Sequence, residues 1–217
     1  MVRRLAVSVT SLALLLTPAW AAAQALAAVQ LPAPRMNGGR LLMQAFAARA
    51  TSREFAPDPL PPQLLADLLW AAWGVNRPDS GKRTAPSAHD WQETDVYVVT
   101  AAGAYLYDAR AGRLTAVAAG DLRALAGVQA FVKEAPVTLV LVADTARMKG
   151  AAPNMVQSYA WADTAFVAEN VYLFCASAGL ATGVRAMVDR PPLAKALKLA
   201  PSQLITLAQC VGYPKRK

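Results

Sequence analysis

Residues 136–143 hold Val137, Thr138, Leu139, Val140, Leu141 and Val142 in an unbroken, uncharged run. A strand with one wet face alternates apolar and polar residues, whereas a continuous apolar run of this length is typical of a central strand. The chain must therefore build a sheet around it. Residues 94–100, with Val96, Tyr97, Val98 and Val99, read as a second strand, and Ala102-Gly103 suits a hairpin turn into a third over 104–107. Further strands are expected over 114–117, 182–188 and 204–211. Helical spacing marks 40–50 (Leu41, Leu42, Ala45, Phe46) and a strong stripe of Leu64, Leu65, Leu68, Leu69, Ala72 and Trp73, opened by Pro61-Pro62 and closed by Gly74. Residues 157–178 form the longest helix, 191–199 another, and Asp121 is placed to cap a short one over 122–126. Strands and helices do not strictly alternate, so the class is α+β.

The 217 residues suffice for one well-buried domain, and the hydrophobic fraction of 55% is that of a globular chain at its apolar end. Part of the excess lies outside the fold. Residues 1–25 read as a cleaved secretory signal: Arg3 and Arg4 form the n-region, 5–16 an apolar stretch too short to span a bilayer, and Ala19-Trp20-Ala21 and Ala23-Gln24-Ala25 are peptidase sites. Export is expected, to the periplasm or medium, by the general or the twin-arginine route, with no membrane anchor after cleavage. Residues 26–37, with Pro32 and Pro34, are an extended lead-in to a domain over 38–217. Two of the eight net positive charges belong to the signal. The rest are scattered, without the basic and aromatic interleaving of a nucleic-acid module, and suit a solvated face or an anionic ligand. Cys175 and Cys210 lie in apolar runs and read as buried free thiols. The lone histidine, His89, excludes a histidine-rich metal site, and no Gly-x-Gly-x-x-Gly follows a strand.

Three polar segments carry the possible chemistry. Arg49-Ala50-Thr51-Ser52-Arg53-Glu54-Phe55 has two guanidiniums with two hydroxyls between them, which suits a phosphate monoester and equally suits a solvated helix end. Residues 76–92 form a loop too long for an ordinary connection. Within it, Ala85-Pro86-Ser87-Ala88-His89-Asp90-Trp91-Gln92 offers a small-residue backbone to a flat ligand. Tyr213-Pro214-Lys215-Arg216-Lys217 is a cationic tail directly after a strand. No nucleophile elbow, legible carboxylate pair or metal cluster is present, so hard chemistry would fall to a bound cofactor.

In order and spacing these segments resemble the nitroreductase family. Arg49-Ala50-Thr51-Ser52-Arg53-Glu54-Phe55 is similar to its Arg-Arg-Ser-x-Arg-x-Phe motif, and 85–92 to its Ala-Pro-Ser-Ala-Gly-Asn-x-Gln motif. The stretch 163–173 with Gly179-Leu180 resembles the family's central helix and its exit, and Val211-Gly212-Tyr213-Pro214-Lys215 its last strand and tail. Among the subfamilies it looks like a short form of the SagB/ThcOx-type dehydrogenases. The resemblance implies a mostly antiparallel sheet flanked by helices, a homodimer, and one FMN at each interface. The apolar surplus of the 64–73 helix fits a dimer. By position, Arg49, Thr51, Lys215 and Arg216 would hold the phosphate, Ala50 would stand among the cofactor-binding residues, and Arg53 would lie near the ribityl or N1/O2 edge. Pro86, Ser87, Ala88, His89 and Asp90 would line the ring, and the backbone at Ala186 and Met187 would approach N5. Hydride would pass from a small reduced donor such as NAD(P)H to a small acceptor by a ping-pong cycle. Asp90 stands where the family has an amide, so it can accept from the flavin N3–H but cannot donate, and His89 replaces a small residue. His89 is the sole side chain considered as a proton donor. Two other roles fit the same residues: a flavin-binding or interaction protein with little turnover, and an azoline-type dehydrogenase in peptide modification.

Overall fold

The computed structural model describes residues 25–216. The signal assigned to residues 1–25 therefore lies, but for its last residue, outside the described residues. The strands are β1 (Val29–Gln30), β2 (Val75–Arg77), β3 (Lys82–Arg83), β4 (Thr94–Val99), β5 (Gly103–Asp108), β6 (Arg113–Ala119), β7 (Val137–Asp144), β8 (Ala181–Arg185) and β9 (Gln203–Gly212). The helices are α1 (Leu42–Ala48), α2 (Pro62–Trp73), α3 (Pro153–Ala178) and α4 (Arg190–Ala196). Seven strands form one sheet in the order β1-β6-β5-β4-β7-β9-β8, while β2 and β3 pair apart. Each pair in the large sheet is antiparallel.

The continuous apolar run becomes β7, flanked by β4 and β9 and buried on both faces. Alternation along the pleat sorts its neighbours' side chains. Val96, Val98, Leu139 and Leu141 face a core made with α2 and α3, where Leu68, Leu69, Trp73, Val167, Val171 and Cys175 meet them. Tyr97, Val99, Val140 and Val142 face the other core with Val132, Leu193 and Leu197, under α4 and the short 3-10 turns. Pro62 opens α2, and the Gly74 N–H donates to Trp70 O at 2.8 Å to close it. The 26 residues of α3 span about 39 Å. Residues 160, 163, 164, 167, 168, 171, 172 and 175 form its buried stripe, and Gly179 ends it with φ 73°.

Several sequence expectations are revised. The lead-in 26–37 belongs to the domain: β1 pairs with β6, and Arg35 bonds Asp67 through both its N–H (2.8 Å) and its guanidinium (2.7 Å). The 76–92 loop contains β2, β3 and a 3-10 turn at Ala88–Asp90. The strand expected over 182–188 stops at Arg185. Asp121 accepts from the Arg123 N–H at 3.1 Å, but the segment that follows is only a 3-10 turn, Arg123–Ala126, with Leu122 at the cap position. Part of the apolar surplus of α2 goes into the core, where Leu68, Leu69 and Ala72 have no exposure, while Leu64, Leu65, Trp70 and Ala71 are half-buried. The exposed surplus sits instead on and before α1, where Leu41, Leu42, Met43 and Phe46 are 50–76% exposed and only Ala45 is buried. Both cysteines are free and buried. No helix among the described residues is long and apolar enough to cross a membrane.

Candidate functional site

The segment after α1 lies along β8, the edge strand. The Ser52 N–H donates to Thr182 O at 2.8 Å. Glycine at 183 permits this approach, because a Cβ there would stand 2.6 Å from Ser52 O. The Thr51 hydroxyl bonds the Tyr172 hydroxyl of α3 at 2.9 Å, and the Val184 N–H donates to the same Tyr172 oxygen at 3.1 Å. The Arg49 guanidinium lies 5.4 Å from the centre of the Tyr172 ring. Farther on, Phe55 bridges to Pro214 and the Ala56 N–H donates to Tyr213 O at 2.9 Å. These contacts lay residues 49–56 along one edge of the sheet, with the Lys215-Arg216 tail at the Ala181 end of β8 and the β8 exit at the other end. A cavity of about 690 Å³ opens beside the tail, against Tyr213, Pro214 and Arg216. Arg49, Arg53, Lys215 and Arg216 form no ion pair among the described residues, and Arg49, Ala50, Arg53, Lys215 and Arg216 are exposed. Unpaired guanidiniums, a fixed hydroxyl and tail cations are a donor set that fits a phosphate monoester.

Just past β8, Ala186 and Met187 are exposed. Arg185 anchors this exit from below: its Nη2 and Nε donate to Ala126 O at 2.8 and 3.2 Å, and its Nη1 reaches Cys210 Sγ at 3.1 Å. Sequence reading did not single out Arg185 or Tyr172, because neither lies in a polar segment.

The 86–90 loop is fastened elsewhere. The Ala88 N–H donates to Asp163 Oδ2 at 2.8 Å. Asp163 and Tyr172 are nine residues apart on α3, which puts the two anchor points about 13 Å apart along its axis. Within one chain, therefore, the loop is not brought onto Arg49. His89, Asp90 and Gln92 all have φ between 48° and 55°. Left-handed backbone at non-glycine residues costs free energy and persists only where the surroundings impose it. Here Ser87 imposes it: its Oγ accepts from the Gln92 N–H at 2.9 Å and donates to Glu93 Oε2 at 2.9 Å. Asp90 accepts from Gln92 Nε2 at 3.1 Å. The His89 ring packs 4.6 Å from Trp91 and meets Tyr159 edge-on at 6.0 Å, an aromatic packing role.

Beneath the loop lie two carboxyls that sequence reading also missed. Glu93 has no exposure and Asp163 only 3%. Glu93 Oε1 has no hydrogen-bond partner among the described residues. Burial pushes the Glu93 carboxyl up to about 7, with the neighbouring Asp163 adding to the effect. An acid at a strand entrance carries no mark of burial in sequence, although Asp163 inside an apolar helical stretch was a signal of a kind.

The nitroreductase family model matches residues 46–213. The Methanocaldococcus jannaschii protein MJ1384, provisionally named a nitroreductase, is 30% identical over 62% of this chain and 72% of its own. A crystal structure of a Ralstonia eutropha JMP134 protein, also provisionally named a nitroreductase, superposes with a TM-score of 0.84 at 40% identity, covering 88% of this chain and 90% of that one. A chain of the E. coli microcin synthetase McbBCD complex shares the fold at a TM-score of 0.67 and 17% identity, over 86% of this chain and 79% of its own. With the motif edge along β8, the strained loop and these likenesses together, the chain belongs to the nitroreductase family and is an oxidoreductase.

Proposed function

We propose that the protein is an exported, FMN-dependent oxidoreductase that works as a homodimer. The observation that carries this reading is the single sheet edge along which Arg49 and Thr51 lie, with the Lys215-Arg216 tail at the Ala181 end of β8 and the β8 exit at its Arg185 end. Arg49, Thr51, Lys215 and Arg216 hold the FMN phosphate, with Ala50 between the first two, and Arg53 opposes negative charge on the reduced ring. Pro86, Ser87, Ala88, His89 and Asp90 line the ring, with the Ala186-Met187 backbone at its reactive edge. When bound, FMN supplies an atom that takes hydride from a reduced donor such as NAD(P)H and passes it to an acceptor after the donor has left. The protein's part is to bind, orient and exclude water, and no side chain need act as a nucleophile.

The dimer supplies what one chain separates. With the loop anchored about 13 Å along α3 from the phosphate edge, a partner's loop can complete each site. The exposed apolar residues around α1 (Leu41, Leu42, Met43, Phe46) and Phe166 on α3 offer a surface for the second copy. Light scattering should give a dimer, and Phe46→Glu should shift it to monomer with loss of flavin. A flavin-loaded monomer would contradict this arrangement.

The test of the main reading is an absorbance spectrum followed by anaerobic reduction. Flavin peaks should be present or appear on FMN titration, and NADH, NADPH or a quinol should bleach them rapidly. No flavin uptake would end the reading. Flavin that binds yet resists every donor would make the protein a flavin-binding module instead. The likeness to the microcin synthetase chain is one of fold and brings no substrate with it.

Export rests on the charged n-region, the short apolar stretch and the small-residue sites of residues 1–25. The mature N-terminus should fall at about residues 22–26 by the spacing rule. Such a cut spares β1, which begins at Val29. Intact Met1 on protein recovered from the cell envelope would refute it.

A further inference from the structure

The β2–β3 hairpin sits against the loop assigned to the flavin ring and concentrates positive charge there. Arg77 and Lys82 are direct cross-strand partners. Like charges facing each other across a ladder are destabilising. No carboxylate within ion-pair distance relieves them among the described residues, and Asp79 in the intervening turn pairs with neither. Arg83 on the same strand is half-buried and pre-oriented. Its guanidinium lies 5.2 Å over the Trp73 ring, its Nε donates to Gln92 Oε1 at 2.8 Å, and its Nη1 to Trp73 O at 3.3 Å. Arg77 is steered inward by a 2.7 Å bond from its Nη2 to Arg83 O. A fourth cation, Arg110, packs on the turn at Gly81, whose φ of 68° and lack of a side chain make room for it. Burial, and then the Arg110 charge, hold Arg83 below the ordinary guanidinium range, with Tyr107 and Asp108 opposing them.

Arg77, Lys82 and Arg83 wall a cavity of about 300 Å³, whose remaining lining includes Pro86, Ser87 and Asp90 of the ring-lining loop. Asp90 is the one acid on the wall, and it is engaged by Gln92 Nε2. A cavity of this size, cationic on one side and open to the ring-lining loop on the other, is built for the charged end of a molecule whose other end reacts.

We propose that the Arg77/Lys82/Arg83 cavity binds an oxyanion, phosphate or carboxylate, carried by one of the two reactants. This rests on the reading that the 86–90 loop lines the flavin. The anion answers the like-charge pair across the hairpin and anchors the reactant beside the ring. Two sources share this chemistry: the phosphates of a dinucleotide donor and the acid group of an acceptor.

The test uses Arg77→Gln/Lys82→Gln, at two exposed positions outside the core. In calorimetry on the full chain, with and without added flavin, inorganic pyrophosphate should bind the wild type and not the double variant. FMN and riboflavin affinities should be unchanged. KM for the anionic reactant should rise about tenfold, the scale of a lost hydrogen bond to a charged group, with kcat nearly constant, and wild-type KM should climb with salt. A rise for NADH or NADPH alone identifies the donor. A rise for 4-nitrobenzoate but not 4-nitrobenzamide identifies the acceptor. Pyrophosphate binding unaltered by the double substitution, or KM values unchanged for every reactant, overturns the proposal. So does a loss of FMN affinity with riboflavin unaffected, since the cavity would then hold the cofactor's own phosphate. If the wild type takes up no flavin, the functional reading fails on its own, and the pyrophosphate titration still decides the anion site.

Discussion

Arg49→Ala weakens FMN binding about 10- to 150-fold and leaves riboflavin binding nearly unchanged. The range comes from the 1.5–3 kcal/mol that a hydrogen bond to a charged group contributes, at about 1.4 kcal/mol per factor of ten. The phosphate is the difference between the two ligands, so a selective loss assigns Arg49 to it. The geometry also limits the damage to the fold. Arg49 is exposed, and its tertiary contact is with the Tyr172 ring at 5.4 Å. A surface cation–π contact contributes about 0.5–1 kcal/mol, so the apoprotein's Tm should fall by no more than about 4 °C. Arg49→Lys should restore only part of the affinity, because a lysine lacks the planar fork. Fluorescence titration with both flavins measures all of this. An equal loss for FMN and riboflavin would show that Arg49 is not the phosphate ligand, and that the segment lies differently against the cofactor.

Glu93→Gln removes a pH dependence of stability that the wild type should show between about pH 4.5 and 7. The carboxyl has an ordinary value of 4.5 and is raised by burial to about 7 in the folded chain. Below pH 4.5 both folded and unfolded chains hold the proton, and Glu93 costs nothing. As pH rises through the window, the unfolded chain gives up its proton first, so unfolding is increasingly favoured. Above about 7 the folded chain carries the buried charge and the cost is complete. The gap from 4.5 to about 7 corresponds to at most about 3–4 kcal/mol at 1.36 kcal/mol per pH unit. Glutamine keeps an acceptor for the Ser87 hydroxyl and never ionises. The variant should thus match the wild type at pH 4.5 and exceed it by several degrees in Tm at pH 8. Parallel curves for the two proteins across pH 4.5–8 would mean that the buried charge lies on another group. Because Ser87 links Glu93 to the strained 88–92 backbone, flavin affinity in the wild type should weaken over the same window.

The central strand was legible because its signal is local. Seven consecutive residues without a charge can only be buried on both faces, and β7 is so buried. The proline start and glycine stop of α2, and the left-handed Gly179 after α3, are likewise consequences of single-residue backbone chemistry. Arg49, Thr51 and the 85–92 loop stood out as candidates because chemistry-bearing side chains are conspicuous in an apolar chain.

What sequence could not show is whatever depends on partners distant along the chain. The two-residue β1 has no pattern of its own and exists because Leu31 N–H finds Gly112 O at 3.0 Å. Residues 182–188 carry strand-like composition throughout, yet pairing with β9 ends at Arg185, whose side chain turns under the sheet to Ala126. Tyr172 orients Thr51 from 121 residues away, and Asp163 holds Ala88 from 75. The repulsion between Arg77 and Lys82 appears only once the hairpin sets them face to face. Sequence alone determined the long elements, their apolar faces and the family motif, since propensity, periodicity and turn chemistry act over a few residues. Tertiary structure decided which polar groups are buried, which cations go unanswered and which loop is held under strain, because desolvation and Coulomb energy depend on neighbours in space rather than along the chain.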